Sequence, residues 1–216
     1  MVPLYGDGAL QESSFRSKKW GGVPFIGTAE SDESTILEDR TGMPTGGPMK
    51  KIILIGSGGS GKSTLARQLG EKLKLEVYHL DALFWKPNWV GVPKEEQTTV
   101  QNELVKKERW IIDGNYGGTM GIRLQAADTI LFLDLPRTVC VYRAVKRIVQ
   151  YRKKTRPDMG EGCPERVSLA FLKWIWKYPD TNRPGILKKL EELSTEKQVI
   201  ILRSPKEVRR FLESIE

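Results

Sequence analysis

Five short apolar runs recur along the chain from residue 50 onward, and stretches with helical spacing separate them. The first, Ile52-Ile-Leu-Ile55, predicts a buried strand over 50–56. Leu65, Leu69 and Leu73 then recur at every fourth position, which predicts a helix over 61–73. The same reading places strands at 75–79, 110–113, 129–134 and 198–203. It places helices at 94–107, 137–151, 165–178, 185–193 and 205–215. Ser204 is the expected N-cap of the last helix, with Pro205 in its first turn. A proline-bearing aromatic loop is expected over 83–93, a glycine-rich loop over 114–121, and a polar loop over 152–164. Apolar strands alternating with helices imply an α/β fold with a parallel sheet covered on both faces. Right-handed crossovers then bring the C-terminal ends of all five strands to one edge, where ligands bind.

Residues 1–48 do not share this pattern. They are rich in Gly, Ser, Thr, Pro and acidic residues and sustain neither a helical nor a strand period. The breaker cluster 42–48 separates them from Met49-Lys-Lys-Ile52, which reads as a natural start. The expected organisation is a disordered extension or non-native leader over 1–48 and one domain over 49–216. A regulatory tail is the functional alternative for 1–48.

The charge is divided at the same place. Residues 1–48 carry four basic and seven acidic residues, net −3, so the rest carries +11 against the whole chain's +8. A basic domain suits polyanionic partners such as nucleotides, or nucleic acid, and charge does not choose between them. No apolar run reaches the ~20 residues of a membrane helix, and the start shows no basic-then-apolar signal pattern. Cys140 and Cys163 have no metal-site or C-x-x-C spacing and read as free thiols. A cytoplasmic protein is expected; the oligomeric state is not legible.

The chemistry concentrates between the first strand and the first helix. Gly56-Ser-Gly-Gly-Ser-Gly-Lys62-Ser63 fits the phosphate-loop pattern G-x-x-x-x-G-K-[ST], in the strand-to-helix setting that pattern requires. Gly56, Ser57, Gly58, Gly59, Ser60, Gly61, Lys62, Ser63 and Thr64 are the expected nucleotide-binding residues. Glycines let backbone N–H groups approach phosphate, and the helix start adds partial positive charge. Lys62 is suited to the β- and γ-phosphates of ATP and Ser63 to Mg²⁺.

Further candidates sit at the ends of the other strands. Asp113 and Asp134 both follow apolar strands; Asp113 is the preferred partner of Ser63 at Mg²⁺, and Asp134 could instead cap local N–H groups. Asp81 has three competing roles: acceptor binding, general base, or loop cap. His79, the only histidine, is more often structural in such a position. Phe84, Trp85 and Trp89 could stack a ring of the acceptor or pack their loop onto the core. Trp110, Phe171, Trp174 and Trp176 read as packing residues. Arg143, Arg147, Arg152 and Arg156 are candidates to stabilise a transferring phosphoryl group, and the 152–164 segment is placed like a lid.

Together with the phosphate loop, Asp113-Gly114, Leu133-Asp-Leu-Pro136 and Leu202-Arg-Ser-Pro205 make residues 49–216 resemble the adenylate-kinase-like P-loop proteins. Tyr78-His-Leu-Asp-Ala-Leu-Phe-Trp85 and Ile112-Asp-Gly-Asn-Tyr116 make the chain look closest to the bacterial DNA topology modulation proteins. That resemblance implies a three-layer P-loop NTPase fold, sheet order 2-3-1-4-5, an ATP-binding kinase-like core and a short lid. Where adenylate kinases carry Asp-Gly-Phe-Pro-Arg, this chain has Asp113-Gly-Asn-Tyr-Gly117, without the arginine that helps hold an acceptor phosphate. The segment after the fourth-strand helix is too short, and lacks the cysteines, for a zinc-type lid. The function expected is Mg-ATP-dependent transfer to a small nucleoside, nucleotide or hydroxylated metabolite. A nucleotide-dependent regulator acting on DNA and a plain NTPase are the rivals, although no nucleic-acid-binding module is present.

Overall fold

A computed structural model describes residues 49–215; the expected extension over 1–48 lies outside the described residues. The central strand is β1, Lys51–Gly56, with Ile52 to Ile55 almost wholly buried. It pairs in parallel with β5, Trp110–Asp113, on one side and β6, Thr129–Leu133, on the other. Outside these lie β2, Val77–His79, against β5, and β7, Gln198–Leu202, against β6. The order is β2-β5-β1-β6-β7. Counting only these five strands in chain order, this is the expected 2-3-1-4-5.

Alternation along β1 divides the core. Ile52 and Leu54 face one layer, with Leu65 and Leu69 of α1 (Lys62–Leu73), Cys140 and Ala144 of α5 (Arg137–Gln150), and Phe211. Ile53 and Ile55 face the other layer, with Trp110, Ile112, Leu124 and Leu190. Burial on both faces is what a parallel sheet requires, and it explains the unbroken apolar runs of β1 and β6. This is the three-layer P-loop NTPase fold. The register His79↔Asp113, Leu54↔Asp113 and Gly56↔Leu133 brings His79, Asp113 and the phosphate loop to one edge.

Several boundaries differ from the expected ones. The 80–93 stretch is not a plain loop. It holds α2, Leu80–Phe84, and an antiparallel ribbon of β3, Trp85–Lys86, with β4, Val90–Gly91, around a 3₁₀ turn at Pro87–Trp89. The helix expected over 94–107 is α3, Lys94–Lys106. The stretch before β6 contains α4, Met120–Ala126, a helix of seven residues that buries Arg123 beside Leu124. The helix expected from residue 165 starts later, as α6, Leu169–Thr181, because Ser168 caps it by accepting from Phe171 N–H. It is followed directly by α7, Arg183–Leu193. The last helix, α8, Pro205–Glu213, has the expected Ser204 cap. Ser204 accepts from Glu207 N–H at 3.2 Å, while Glu207 accepts at 2.8 Å from the N–H of Arg203, the residue before the cap, a variant of the capping box.

Candidate active site

The loop between β1 and α1 is pressed against the body of the protein. A Cβ on Gly59 would lie 2.2 Å from the Cys140 carbonyl oxygen, and Gly59 has φ +75°. A Cβ on Gly58 would strike the Phe171 ring at 2.6 Å. Only glycines allow the loop to seat this closely on α5 and α6. Helix α1 opens on Gly61 with no side-chain cap, so its first-turn N–H groups are available to an external anion. Arg143 donates to the Ser60 carbonyl at 3.0 Å, bracing the loop from α5.

Lys62 donates to the carbonyls of Gly56 and Ser57, both at 3.0 Å. Burial lowers its pKa, while Asp113 and Asp81 work in the opposite direction. Gly56 is engaged on both sides: its N–H donates to Asn115 Oδ1 at 3.2 Å and its carbonyl accepts from Asn115 Nδ2 at 2.8 Å. Gly56 therefore positions the loop, and its N–H is not directed at a phosphate.

Asp113 is buried at the end of β5. Its Oδ2 meets His79 Nδ1 at 3.0 Å, and its Oδ1 is buried with no hydrogen-bond partner. An unsatisfied buried carboxylate oxygen is costly unless something outside the protein satisfies it. That oxygen, with the Ser63 hydroxyl in the same cavity, fits a hydrated divalent cation. Among the described residues no group of three or more His, Cys, Asp or Glu could hold a metal by itself, so phosphate oxygens would have to complete the set. Asp134 is placed differently: both its carboxylate oxygens meet Arg183 Nε, at 2.8 and 2.9 Å, a clamp between β6 and α7.

Arg123 supports the 113–116 turn from below. Fully buried, it donates to the carbonyls of Gly114 and Asn115 at 3.0 and 2.9 Å and to Gln101 Oε1. Burial pulls its pKa down to about 10, so it remains a cation at neutral pH. On the far side of this turn, Tyr116 donates to Asp81 Oδ1 at 2.8 Å. Burial raises the Asp81 pKa, against the opposing charge of Arg156.

Opposite the loop, the 154–168 segment is docked onto the β3–β4 ribbon. Asn88 N–H donates to the Gly162 carbonyl at 3.0 Å, Trp89 Nε1 to Pro164 at 3.1 Å, and the Cys163 thiol to Lys86 at 3.0 Å. A Cβ on Gly160 would sit 1.8 Å from the Trp85 carbonyl oxygen. The aromatic residues are largely engaged in this packing. Trp85 meets Trp89 edge-on, Phe84 meets Tyr116 edge-on, and the Arg166 guanidinium lies 4.5 Å over the Trp89 ring. The ring-stacking alternative for these residues therefore loses ground to packing, although Trp85 and Trp89 still line the cavity.

The candidate arginines separate. Arg147 donates to Glu165 at 3.3 Å, and Arg156 reaches both Asp158 at 2.9 Å and Glu165 at 2.8 Å. Both arginines line the cavity, as does Arg143. Arg152 does not: it is exposed and joins the segment only through a backbone bridge to Glu165. Of the four expected arginines, Arg152 is the one outside the cavity lining. One continuous cavity of about 1650 Å³ unites Gly58 to Thr64, Asp81, Asp113, Asn115, Tyr116, Arg147, Arg156 and Asp158. Single-ligand pockets run to roughly 1,000 Å³, so this space is large enough for two ligands side by side. Phe171 and Trp174, expected only as packing residues, also line it. Asn115, Arg123 and Asp158 were not among the expected site residues. No helix among the described residues is long and apolar enough to cross a membrane.

No protein-family model matches the chain, and no curated protein matches it. It is similar to several solved structures. With shikimate kinase from Acinetobacter baumannii in complex with shikimate it shares 18% identity, over 78% of this chain and 91% of that one, with TM-score 0.48. With a gluconokinase from Sinorhizobium meliloti 1021 the identity is 14%, over 77% and 89%, with TM-score 0.45. With a deoxyadenosine kinase from M. mycoides it is 13%, over 75% and 94%, with TM-score 0.43. Likenesses of this degree carry no substrate or mechanism across.

Proposed function

We propose that this chain is an Mg-ATP-dependent phosphotransferase acting on a small hydroxylated acceptor. One observation carries the reading: Lys62, Asp113 and Asp81 converge on a single two-ligand cavity, close enough for both carboxylates to act on the lysine's charge. The loop N–H groups and Lys62 hold the β- and γ-phosphates, with Lys62 exchanging the Gly56 and Ser57 carbonyls for phosphate oxygens. Ser63 and, through water, Asp113 would hold Mg²⁺, which when bound neutralises charge on the phosphate oxygens. His79 keeps the Asp113 carboxylate in place. Asp81 takes the acceptor hydroxyl, and Tyr116 orients it. A carboxylate whose pKa is raised by burial is the stronger base for that proton. Arg147 and Arg156 face the space where the transferring group develops its charge.

A coupled ADP-release screen over nucleosides, nucleotides and hydroxylated metabolites, with Lys62→Ala as blank, tests this. Release stimulated by one acceptor supports the kinase. Acceptor-independent release identifies an NTPase instead. No release from any mixture, together with salt-sensitive DNA binding, would replace the kinase by a regulator.

A further inference from the structure

The turn after β5 rests on a buried cation that pairs with no carboxylate among the described residues. Arg123 is fully buried, and its three partners are neutral oxygens: the carbonyls of Gly114 and Asn115, and Gln101 Oε1. Its Nε has no hydrogen-bond partner. Each carboxylate lining the cavity, by contrast, has one: Asp81 meets Tyr116, Asp113 meets His79, Asp158 meets Arg156, and Glu165 meets Arg147 and Arg156. A second cation stands over the same turn. Lys94, the first residue of α3, lines the cavity, and its Nζ lies 3.6 Å from where a Cβ on Gly118 would stand. Among the described residues Lys94 forms no ion pair.

The backbone between the two cations offers donors. No peptide among the described residues is cis, and in a trans peptide the carbonyl and the following N–H point opposite ways. The Gly114 and Asn115 carbonyls turn toward Arg123, so the N–H groups of Asn115 and Tyr116 turn toward the cavity that these residues line. Tyr116 has a left-handed φ of 29°, the kind of bend that gathers successive N–H groups into an anion-binding concavity. No acceptor among the described residues takes the N–H of Asn115, Tyr116, Gly117 or Gly118. A buried guanidinium without a counter-charge is costly unless charge outside the protein answers it. Asp81 is tied to the same turn by Tyr116 at 2.8 Å, so one molecule can meet both. Resting on the phosphotransferase reading above, we propose that the acceptor carries a negatively charged group, a carboxylate or a phosphate, seated between Lys94 and the N–H groups of the 115–118 turn while its hydroxyl lies at Asp81. Lys94 supplies a charge-assisted bond and Arg123 a favourable field behind the turn, and a neutral polyol of the same shape uses neither.

The test is a calorimetric titration of the full chain, with Mg²⁺ and ADP present, using matched pairs: glycerate against glycerol, xylonate against xylitol, and ribose 5-phosphate against ribose. The quantity read is the ratio of dissociation constants within a pair, neutral over charged. Wild type should give a ratio of about ten or more in at least one pair, the scale of one hydrogen bond to a charged group. The larger ratio in a carboxylate pair assigns the acceptor to the hydroxy acids, and in the phosphate pair to the sugar phosphates. Lys94→Gln should lower the ratio about tenfold, and Lys94→Arg, which keeps the charge, should retain most of it. Lys86→Gln removes a charge from the neighbouring ribbon, outside the cavity lining, and should leave the ratio alone. No binding by any charged member, a ratio near one in every pair, or an unchanged ratio in Lys94→Gln overturns the proposal. So does an equal fall in Lys86→Gln, which would assign the effect to overall charge. ADP release stimulated by neutral members alone also overturns it, and leaves the phosphotransferase reading standing. Binding of the charged members with no ADP release from any acceptor removes that reading, and this inference with it.

Discussion

The loop Gly56–Thr64 and the segment 152–168 face the same cavity and are built by different means. The loop is shaped by backbone: glycines seat it on α5 and α6, and its own carbonyls hold Lys62. The segment is shaped by side chains and by distant partners: Arg147, Arg156, Asp158 and Glu165 match one another, and the ribbon at 85–91 supplies the docking bonds. A wall made from backbone is dictated by a few adjacent residues. A wall made from charge pairs depends on where the fold brings them. The loop wall is therefore set by residues adjacent in the chain, and the segment wall by residues the fold brings together from a distance.

The contrast is most severely tested by a methyl group on each wall. Gly59→Ala forces a Cβ into the Cys140 carbonyl at a positive φ, and should cost about 3 kcal/mol or more. On a chain of this size that is a fall in Tm of roughly 6–12 °C, with nucleotide binding lost. Gly160→Ala forces a Cβ into the Trp85 carbonyl but strains only the docked segment. It should lower Tm by less, roughly 1–2 kcal/mol in stability, and leave binding of the Mg²⁺-free β,γ-imido analogue of ATP within about threefold of wild type while transfer is lost. Equal losses of stability in the two variants would erase the distinction between the walls.

Asn115→Ala sharpens it from the seam. Removing both amide bonds to Gly56 should cost about 2 kcal/mol and weaken triphosphate binding about tenfold, read by melting and titration. The smallest effect concerns pH. The folded-state pKa of Asp81 lies above its unfolded value, so the folded state holds that proton more tightly. Its contribution to stability is present below the unfolded pKa and lost as pH rises through the folded one. Asp81→Asn should therefore melt above wild type at neutral pH, with the gap closing toward about pH 4. A gap that widens on acidification contradicts the assignment.

This contrast also accounts for what the sequence made legible. The strand order and the phosphate loop were readable because their signals are local: an apolar run, then glycines, then Lys62-Ser63 opening a helix. Helix α4 was missed because it is only seven residues long and buries Arg123 beside Leu124, and the arginine's role depends on carbonyls it meets only in the fold. Asn115 was visible only as a polar residue in a turn, since its partner is Gly56 on another strand. Arg152 and Arg156 looked equivalent, and only the docking of the segment turns one outward and the other toward Asp158 and Glu165. Asp134 has the same strand-end setting as Asp113, and what separates them is Arg183, far along the chain.

The most direct test of the central claim is a calorimetric titration of the full chain with the Mg²⁺ complex of the β,γ-imido ATP analogue, repeated on Lys62→Ala. The account predicts one site per chain and a loss of about 100-fold or more in affinity on removing the lysine, with Tm little changed. Binding that survives in Lys62→Ala at wild-type strength, or no binding to wild type, would contradict it.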